Sequence, residues 1–367
     1  MSDSDKTETV NGYLSSVRNG IESTATVHCV VGNEAADLDS LASALMYAFF
    51  KAVQNAGDGV QYVPVAAIPR NDFKLRTEAV FLFSQAGIDV DSLFFADDID
   101  PKALHADGRL ALTLIDHNKP TGAYAGLEDA VVGVVDHHAD EGLFENASPR
   151  VIEPVGSAAT LVARMILDQN KALLDSNAAK LLLGTILLDT VNLDPEAGRV
   201  TPEDDAVAAE LQKLGDKSRQ ELFDKVQQEK FNVSSLDSPD LLRKDYKEWE
   251  LGNYRVGIST VLLSVQEWLR KDASLSDALS QYCTARKLDV LLAMNAYTAP
   301  EFTRELVVYC PDGSLRERLL GFLKNSDLEL SPIESGKTDE ATALFSQGNL
   351  GKSRKKLQPM LAEFFES

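Results

Sequence analysis

Four apolar runs punctuate the first half of the chain: Thr26 to Val31, Val60 to Ala66, Leu110 to Ile115 and Ala130 to Val135. Continuous apolar runs of this length suit strands buried on both faces, as in a parallel sheet covered by helices. Around them, Ser40 to Val53, Leu75 to Ala86, Ser157 to Leu167 and Asn177 to Leu188 carry apolar residues at helical spacing. Short strands alternating with helices predict an α/β fold with a doubly wound, mainly parallel sheet.

From Asp204 to about Lys230 the sequence becomes charged and helical, with DKSRQELFDKVQQEK at its centre, and reads as a solvated amphipathic helix joining two domains. Beyond it, Tyr254 to Leu263, Leu288 to Met294 and Glu305 to Tyr309 read as strands interleaved with helices, which defines a smaller α+β domain. The expected organisation is a disordered start over residues 1–11, an α/β domain over 12–215, a helical linker over 216–235 and a second domain over 236–367. The sequence contains no internal repeat and no low-complexity tract.

Composition narrows the choice of partners. A length of 367 residues with 44% hydrophobic side chains is enough for two cores. The net charge of −21 repels nucleic acid and anionic membrane surfaces, so neither is expected as a partner. An anionic substrate then requires a local concentration of cations strong enough to reverse that field. Cys29, Cys283 and Cys310 are odd in number and far apart, which fits a reducing compartment rather than a disulfide framework. The start MSDSDKTETV resembles neither a secretory leader nor a transit peptide, and no apolar run has the length of a membrane span. The expected location is the cytoplasm. The sequence sets no oligomeric state, and a monomer is the simplest expectation.

Three of the four predicted strands of the first domain end in residues that bind metals. TVHCVV leads into Asn33, Glu34, Asp37 and Asp39; LALTLI leads into Asp116-His117-Asn118; AVVGVV leads into Asp136-His137-His138. Ligands of open α/β sheets bind at the carboxyl ends of the strands, so three separate segments deliver carboxylates and imidazoles to one crevice. Any one of these residues could be a helix cap or turn residue. However, the chain has only five histidines, and three of them sit in these clusters. A mixed carboxylate and imidazole set is the donor chemistry of a divalent-metal site. Asp189 ends the apolar stretch LLLGTILLD, where an ionised carboxylate needs a compensating cation or hydrogen bonds. His28 lies inside a strand and reads as a core residue, and His105 reads as a solvated loop residue.

At these positions the chain resembles the DHH phosphoesterase family, whose name is the triplet at Asp136 to His138. GNEAADLDS, IDHN, VVDHH and GTILLDT look like that family's four motifs in order, with AIPRND and EPVGSAATLV as further matches. Ser353 to Pro359 resembles the SRKKxxP motif of the second type of C-terminal domain found in family II pyrophosphatases, eukaryotic exopolyphosphatases and prune proteins. Asn33 stands where the pyrophosphatases are expected to have His, and the intact triplet departs from the prune pattern. The combination is similar to the exopolyphosphatase branch.

The resemblance implies two divalent ions, Mg²⁺ or Mn²⁺ with Co²⁺ or Zn²⁺ as substitutes, bound by Asp37, Asp39, Asp116, His137 and Asp189, with Asp116 and Asp189 bridging. It places His138 at the phosphoryl or leaving oxygen, alongside the catalytic roles of Asp116 and Asp189, and His117 behind the ligands. Arg354, Lys355, Lys356 and Lys247 are expected to bind substrate from across a cleft between the domains, with Asn33 near the first ion. Arg70, with Lys74 and Arg76, forms a second basic cluster that is a candidate for distal phosphates. The implied substrate is inorganic polyphosphate or another small phosphoanhydride. Rival readings are a pyrophosphatase, a prune-like short-chain polyphosphatase or cyclic-nucleotide phosphodiesterase, and a non-enzymatic adaptor; an adaptor has no need of five convergent ligands.

Overall fold

The four apolar runs predicted as strands are adjacent members of one sheet. The computed structural model describes residues 9–21, 24–215, 218–298 and 300–366. After helix α1 (Val10–Gly20), β1 (Thr26–Val31), β2 (Val60–Ala66), β3 (Phe94–Phe95), β4 (Leu110–Ile115), β5 (Val131–Asp136) and β6 (Arg150–Ile152) pair in the order β3-β2-β1-β4-β5-β6. Every pairing is parallel. Strand order therefore reverses between β1 and β4, and that is where an open α/β sheet leaves its crevice.

The helices of this unit are α2 (Leu38–Gln54), α3 (Thr77–Gln85), α4 (Pro101–Ala106), α5 (Ala158–Asn170), α6 (Ser176–Asp189), α7 (Pro202–Gln212) and α8 (Arg219–Phe231). Helix α2 is buried without interruption from Leu38 to Phe50, and α6 from Ala178 to Leu188. Both are mostly apolar and buried on all sides, as suits a helix that packs on other elements around its whole circumference. Each fully buried Leu or Phe there contributes roughly 1.5–3 kcal/mol, so neither helix moves independently of the core. Gly32 allows β1 to run directly against α2, because a Cβ on it would lie 2.8 Å from Ser40 Cβ.

The first compact unit runs to Phe231 and the second from Asn232 to the end. The stretch read as one linker helix is two helices, α7 and α8, and α8 packs on α3 and α6 with Leu222 and Val226 buried. It therefore belongs to the first unit's core. The expected disordered start over residues 1–11 mostly lies outside the described residues. Its end does not: Thr9 caps α1 by accepting from Gly12 N, and Val10 and Asn11 are helical. His105 lies on α4 rather than in a loop, and pairs with Asp129 at 3.0 Å. His28 is the expected core residue: its Nε2 is 2.8 Å from Thr113 Oγ1, and burial lowers its pKa to about 4.

The second unit contains α9 (Ser238–Lys244), β7 (Tyr246–Leu251), β8 (Tyr254–Val261), α10 (Val265–Lys271), α11 (Leu275–Arg286), β9 (Val290–Thr298), β10 (Phe302–Tyr309), α12 (Gly313–Lys324), β11 (Leu330–Pro332), β12 (Thr342–Gln347) and α13 (Arg354–Glu366). The sheet order is β11-β12-β10-β9-β8-β7, with β8 and β9 parallel and the other pairs antiparallel. One cluster of its core surrounds Ile258, Leu292, Leu306 and Phe345 and is closed by Leu357 and Leu361 of α13. No described helix is long and apolar enough to cross a membrane.

Candidate metal centre

A cavity of about 480 Å³ opens at the carboxyl ends of β1, β4 and β5, and Asp37, Asp39, Asp116, His137, His138 and Asp189 line it together with Asn33. The predicted ligands therefore converge. Asp37 caps α2, accepting from Ser40 N at 3.1 Å, and Asp39 occupies its first turn. Asp116 follows β4 in a left-handed conformation, φ 64°, which Asp tolerates better than most residues, and it lines the cavity. Asp189 is the last residue of α6, at the negative end of that helix, where a carboxylate is electrostatically misplaced unless a cation is near.

The acids crowd one another. Asp39 is pushed up to about 7, first by burial and then by the charge of Asp116, even though it accepts from Ala158 N (2.7 Å), Ala159 N (2.8 Å) and Ser43 Oγ (3.0 Å). Those bonds make it a second-helix cap for α5 and hold both of its oxygens in place. Burial also raises Asp37, with Asp116 adding to it, although Asp37 keeps an open face toward the cavity. Asp189 lies far above the usual carboxylate range, from burial followed by the charges of Asp39 and Asp37. Asp116 is 2% exposed. Its Oδ2 accepts from Ser40 Oγ (2.6 Å) and Asn33 Nδ2 (2.7 Å). Asp116 Oδ1 and Asp189 Oδ2 are buried without a hydrogen-bond partner.

His137 completes the set. Its Nδ1 is 3.0 Å from the Val155 carbonyl, which can only accept, so Nδ1 carries hydrogen and the lone pair of the neutral ring sits on Nε2. Nε2 is 3.1 Å from Asp116 Oδ1 and 3.7 Å from Asp39 Oδ2. Burial works against protonation, but the contact with Asp116 and the charge of Asp39 raise its pKa to about 10. Nε2 and the two carboxylates thus face one another across the space a divalent ion would fill. Two orphaned carboxylate oxygens, two further aspartates and an imidazole with its tautomer set by a backbone carbonyl make a donor set that fits divalent cations.

Asp136 and His138 form a separate pair. The Asp136 carboxylate is fully buried and accepts from Asn118 Nδ2 (2.6 Å), His137 N (2.8 Å) and His138 N (3.2 Å). It also holds His138 Nδ1 at 2.8 Å. The His138 side chain is 56% exposed, so the ring stands at the cavity with Nε2 as its remaining nitrogen. His117, expected behind the ligands, directs Nδ1 to the Ile115 carbonyl instead (2.9 Å), and burial lowers its pKa.

The expected substrate contacts fare differently. Asn33 lines the cavity, but its amide is committed at both ends: Nδ2 to Asp116, and Oδ1 to Ala35 N (2.9 Å) and Ala36 N (3.2 Å). Arg70 is committed to structure: it stacks over Phe95 at 4.5 Å and donates to the Leu93 carbonyl (2.7 Å) and Asp98 (2.9 Å). Arg76 likewise donates to the Ala35 carbonyl (2.6 Å), which holds the loop carrying Asn33. In the second unit, Arg354 donates to the Asp245 carboxylate (2.6 Å) and carbonyl (2.7 Å). Lys355, Lys356 and Lys247 are exposed.

Sequence reasoning passed over the supports. Ser40, in DLDS, donates its Oγ to Asp116 (2.6 Å), and Ser157, in VGSA, caps α5. Asp204 is fully buried and accepts from Gly156 N (2.9 Å), Thr160 Oγ1 (2.5 Å), Thr201 N (2.8 Å) and Thr201 Oγ1 (2.7 Å). Its signal was the capping box Thr201-Pro202-Glu203-Asp204. Between it and Asp189 the chain reverses through three consecutive left-handed residues, Val191, Asn192 and Leu193.

A parallel sheet with carboxylates and a histidine gathered at its switch point, followed by a second α/β unit, defines a two-domain metal-dependent hydrolase architecture. Residues 28–186 match the DHH family N-terminal domain and residues 224–364 the DHHA2 domain. The chain belongs to the DHH family. It is 38% identical over 363 residues to the exopolyphosphatase PRUNE1 of Bos taurus, spanning 96% of this chain and 79% of that protein. It is 37% identical over 358 residues to the human exopolyphosphatase PRUNE1, spanning 96% and 78%. The solved Methanococcus jannaschii "putative family II inorganic pyrophosphatase" shares the fold, with a TM-score of 0.50 at 22% identity over 93% of this chain and all of that one.

Proposed function

We propose that the protein is an exopolyphosphatase that hydrolyses the terminal phosphoanhydride bond of inorganic polyphosphate and releases orthophosphate. The observation that carries the reading is the buried Asp189 Oδ2, which accepts no hydrogen bond, together with Asp116 Oδ1, which meets the His137 imidazole at 3.1 Å, in a cavity walled by acids. The similarity to exopolyphosphatases over 96% of the chain supports the substrate class.

Asp37, Asp39, Asp116, His137 and Asp189 would hold two divalent ions, and the oxygen-rich set favours Mg²⁺ or Mn²⁺, with Co²⁺ or Zn²⁺ able to bind. The chemistry supplied by such ions when bound is acidification of a water and neutralisation of phosphoryl charge. Asp116 and Asp189 would each offer the ions a buried carboxylate oxygen that accepts no hydrogen bond. Asn33 and Ser40 fix the other Asp116 oxygen, so the carboxylate does not rotate. His138, oriented through Nδ1 by Asp136, presents Nε2 to a phosphoryl or leaving oxygen and stabilises charge there. Lys355, Lys356 and Lys247 bind the anionic chain, and Arg354 serves them by ordering the start of α13 against Asp245. Three free, buried cysteines support a reducing compartment such as the cytoplasm.

The test is phosphate release from long-chain polyphosphate with Mg²⁺ or Mn²⁺, with pyrophosphate and a cyclic nucleotide run in parallel. Release from polyphosphate that is lost in Asp116→Ala is the expected result. Preference for pyrophosphate or the cyclic nucleotide would replace the reading with a rival one.

A further inference from the structure

Arg199 lines the metal cavity together with Asp37, Asp39 and Asp189, yet its guanidinium pairs with none of them. The residue is exposed and makes no side-chain hydrogen bond or ion pair among the described residues. Neighbouring arginines differ: Arg76 is bound to the Ala35 carbonyl, and Arg164 to Glu153 through two bonds of 2.7 and 2.9 Å. An arginine that lies beside four aspartates and remains unpaired is a cation held in reserve.

Its backbone, in contrast, is fixed. Gly198, at φ 66°, ends the short turn Pro195–Ala197, and the capping box starting at Thr201 follows two residues after Arg199. Asp204 ties that box to Gly156 and Thr160. Gly156 has no side chain because the Arg199 carbonyl would lie 2.8 Å from a Cβ there, and Thr190 Cγ2 closer still at 2.4 Å. The same 154–157 turn carries the Val155 carbonyl that sets the His137 tautomer. The rim of the cavity and the imidazole are therefore one connected assembly, with an unpaired guanidinium at its edge.

We infer that Arg199 is a substrate-contact residue contributed by the metal-binding domain itself, its guanidinium taking non-bridging oxygens of a phosphoryl group seated at the carboxylate cluster. The inference deepens the phosphoanhydride reading and rests on it for the choice of ligand. Once divalent ions neutralise the aspartates, the arginine loses its attraction to them, and an incoming anion becomes its natural partner. The planar fork matches phosphoryl oxygens in a way an ammonium does not.

The experiment compares wild type, Arg199→Met and Arg199→Lys, each loaded with Mn²⁺. Binding of the non-hydrolysable imidodiphosphate is measured by calorimetry, and KM and kcat are measured with tripolyphosphate. Arg199→Met is expected to weaken imidodiphosphate binding about tenfold and raise KM similarly, with Arg199→Lys between it and wild type and Mn²⁺ affinity within about twofold throughout. Unchanged imidodiphosphate binding in Arg199→Met overturns the inference, and so does a parallel loss of Mn²⁺ affinity, which would make the residue structural. Failure of the functional reading looks different. A wild type that releases no phosphate from any polyphosphate, yet binds imidodiphosphate through Arg199, would sink the activity and leave the contact standing.

Discussion

Asn33 Nδ2 donates to Asp116 Oδ2 over 2.7 Å, so the residue that distinguishes this first motif acts on the carboxylate rather than at the front of the cavity. Its role is to fix which Asp116 oxygen remains for a cation. Asn33→Ala is expected to weaken Mn²⁺ binding by about tenfold or more, the usual cost of losing an outer partner of a ligand. Titration of the metal-free protein with Mn²⁺ reads this directly, and an affinity equal to wild type would return Asn33 to a passive role.

Removal of metal should invert the pH dependence of stability. Asp39 is raised to about 7 from 3.8, so the folded chain holds a proton that the unfolded chain releases between those values. That contribution is lost as pH rises through the window. His137, raised from 6.5 to about 10, contributes fully below pH 6.5 and loses its contribution as pH rises through 10, with the same sign. In chelator, Tm should fall from pH 5 to pH 9, by on the order of 5 °C. With Mn²⁺ present the fall should flatten or reverse, because ions replace protons at the same atoms. A chelated protein whose Tm rises over that range would contradict the crowded-acid description.

Arg70 tests whether a basic cluster is a site or a strut. Its stacking on Phe95 and bonds to Leu93 and Asp98 predict that Arg70→Gln costs about 1–2 kcal/mol in urea unfolding. KM for polyphosphate should stay within about twofold. A large rise in KM without loss of stability would restore the phosphate-binding role.

His138 and Asp136 should behave as a unit distinct from the ligands. His138→Gln is expected to lower kcat by roughly 10²–10⁴-fold while Mn²⁺ stoichiometry is unchanged. Asp136→Asn should reproduce much of that loss, since it removes the negative charge 2.8 Å from His138 Nδ1 and sets an amide NH2 against either that ring or the Asn118 amide. Loss of a bound ion in His138→Gln would instead make the ring a ligand.

The parallel sheet was legible because β1, β2, β4 and β5 are apolar on both faces, and their carboxyl ends followed from that. β7 was not, since YKEWEL is an edge strand with an exposed charge on each face, Lys247 on one and Glu250 on the other, which interrupts any apolar pattern. The charged stretch after Asp204 looked like a solvated linker because α8 buries little more than Leu222 and Val226 against α3 and α6. The convergence of these acids and His137 on one cavity was readable from residue type at the element ends. The commitments of Arg70, Arg76 and Asn33 to backbone and carboxylate were not, because a hydrogen bond between residues 41 or 83 positions apart leaves no mark on either local sequence.

The left-handed run from Val191 to Leu193 makes the interval between Asp189 and Arg199 a ruler. Three successive non-glycine residues in that region cost on the order of 1–3 kcal/mol each and persist only where the surroundings leave no alternative. The loop is thus intolerant of gain or loss of length, unlike an ordinary surface connection. Adding a single residue would relax the reversal and separate the acid from the arginine, so natural variation here should be confined to substitutions.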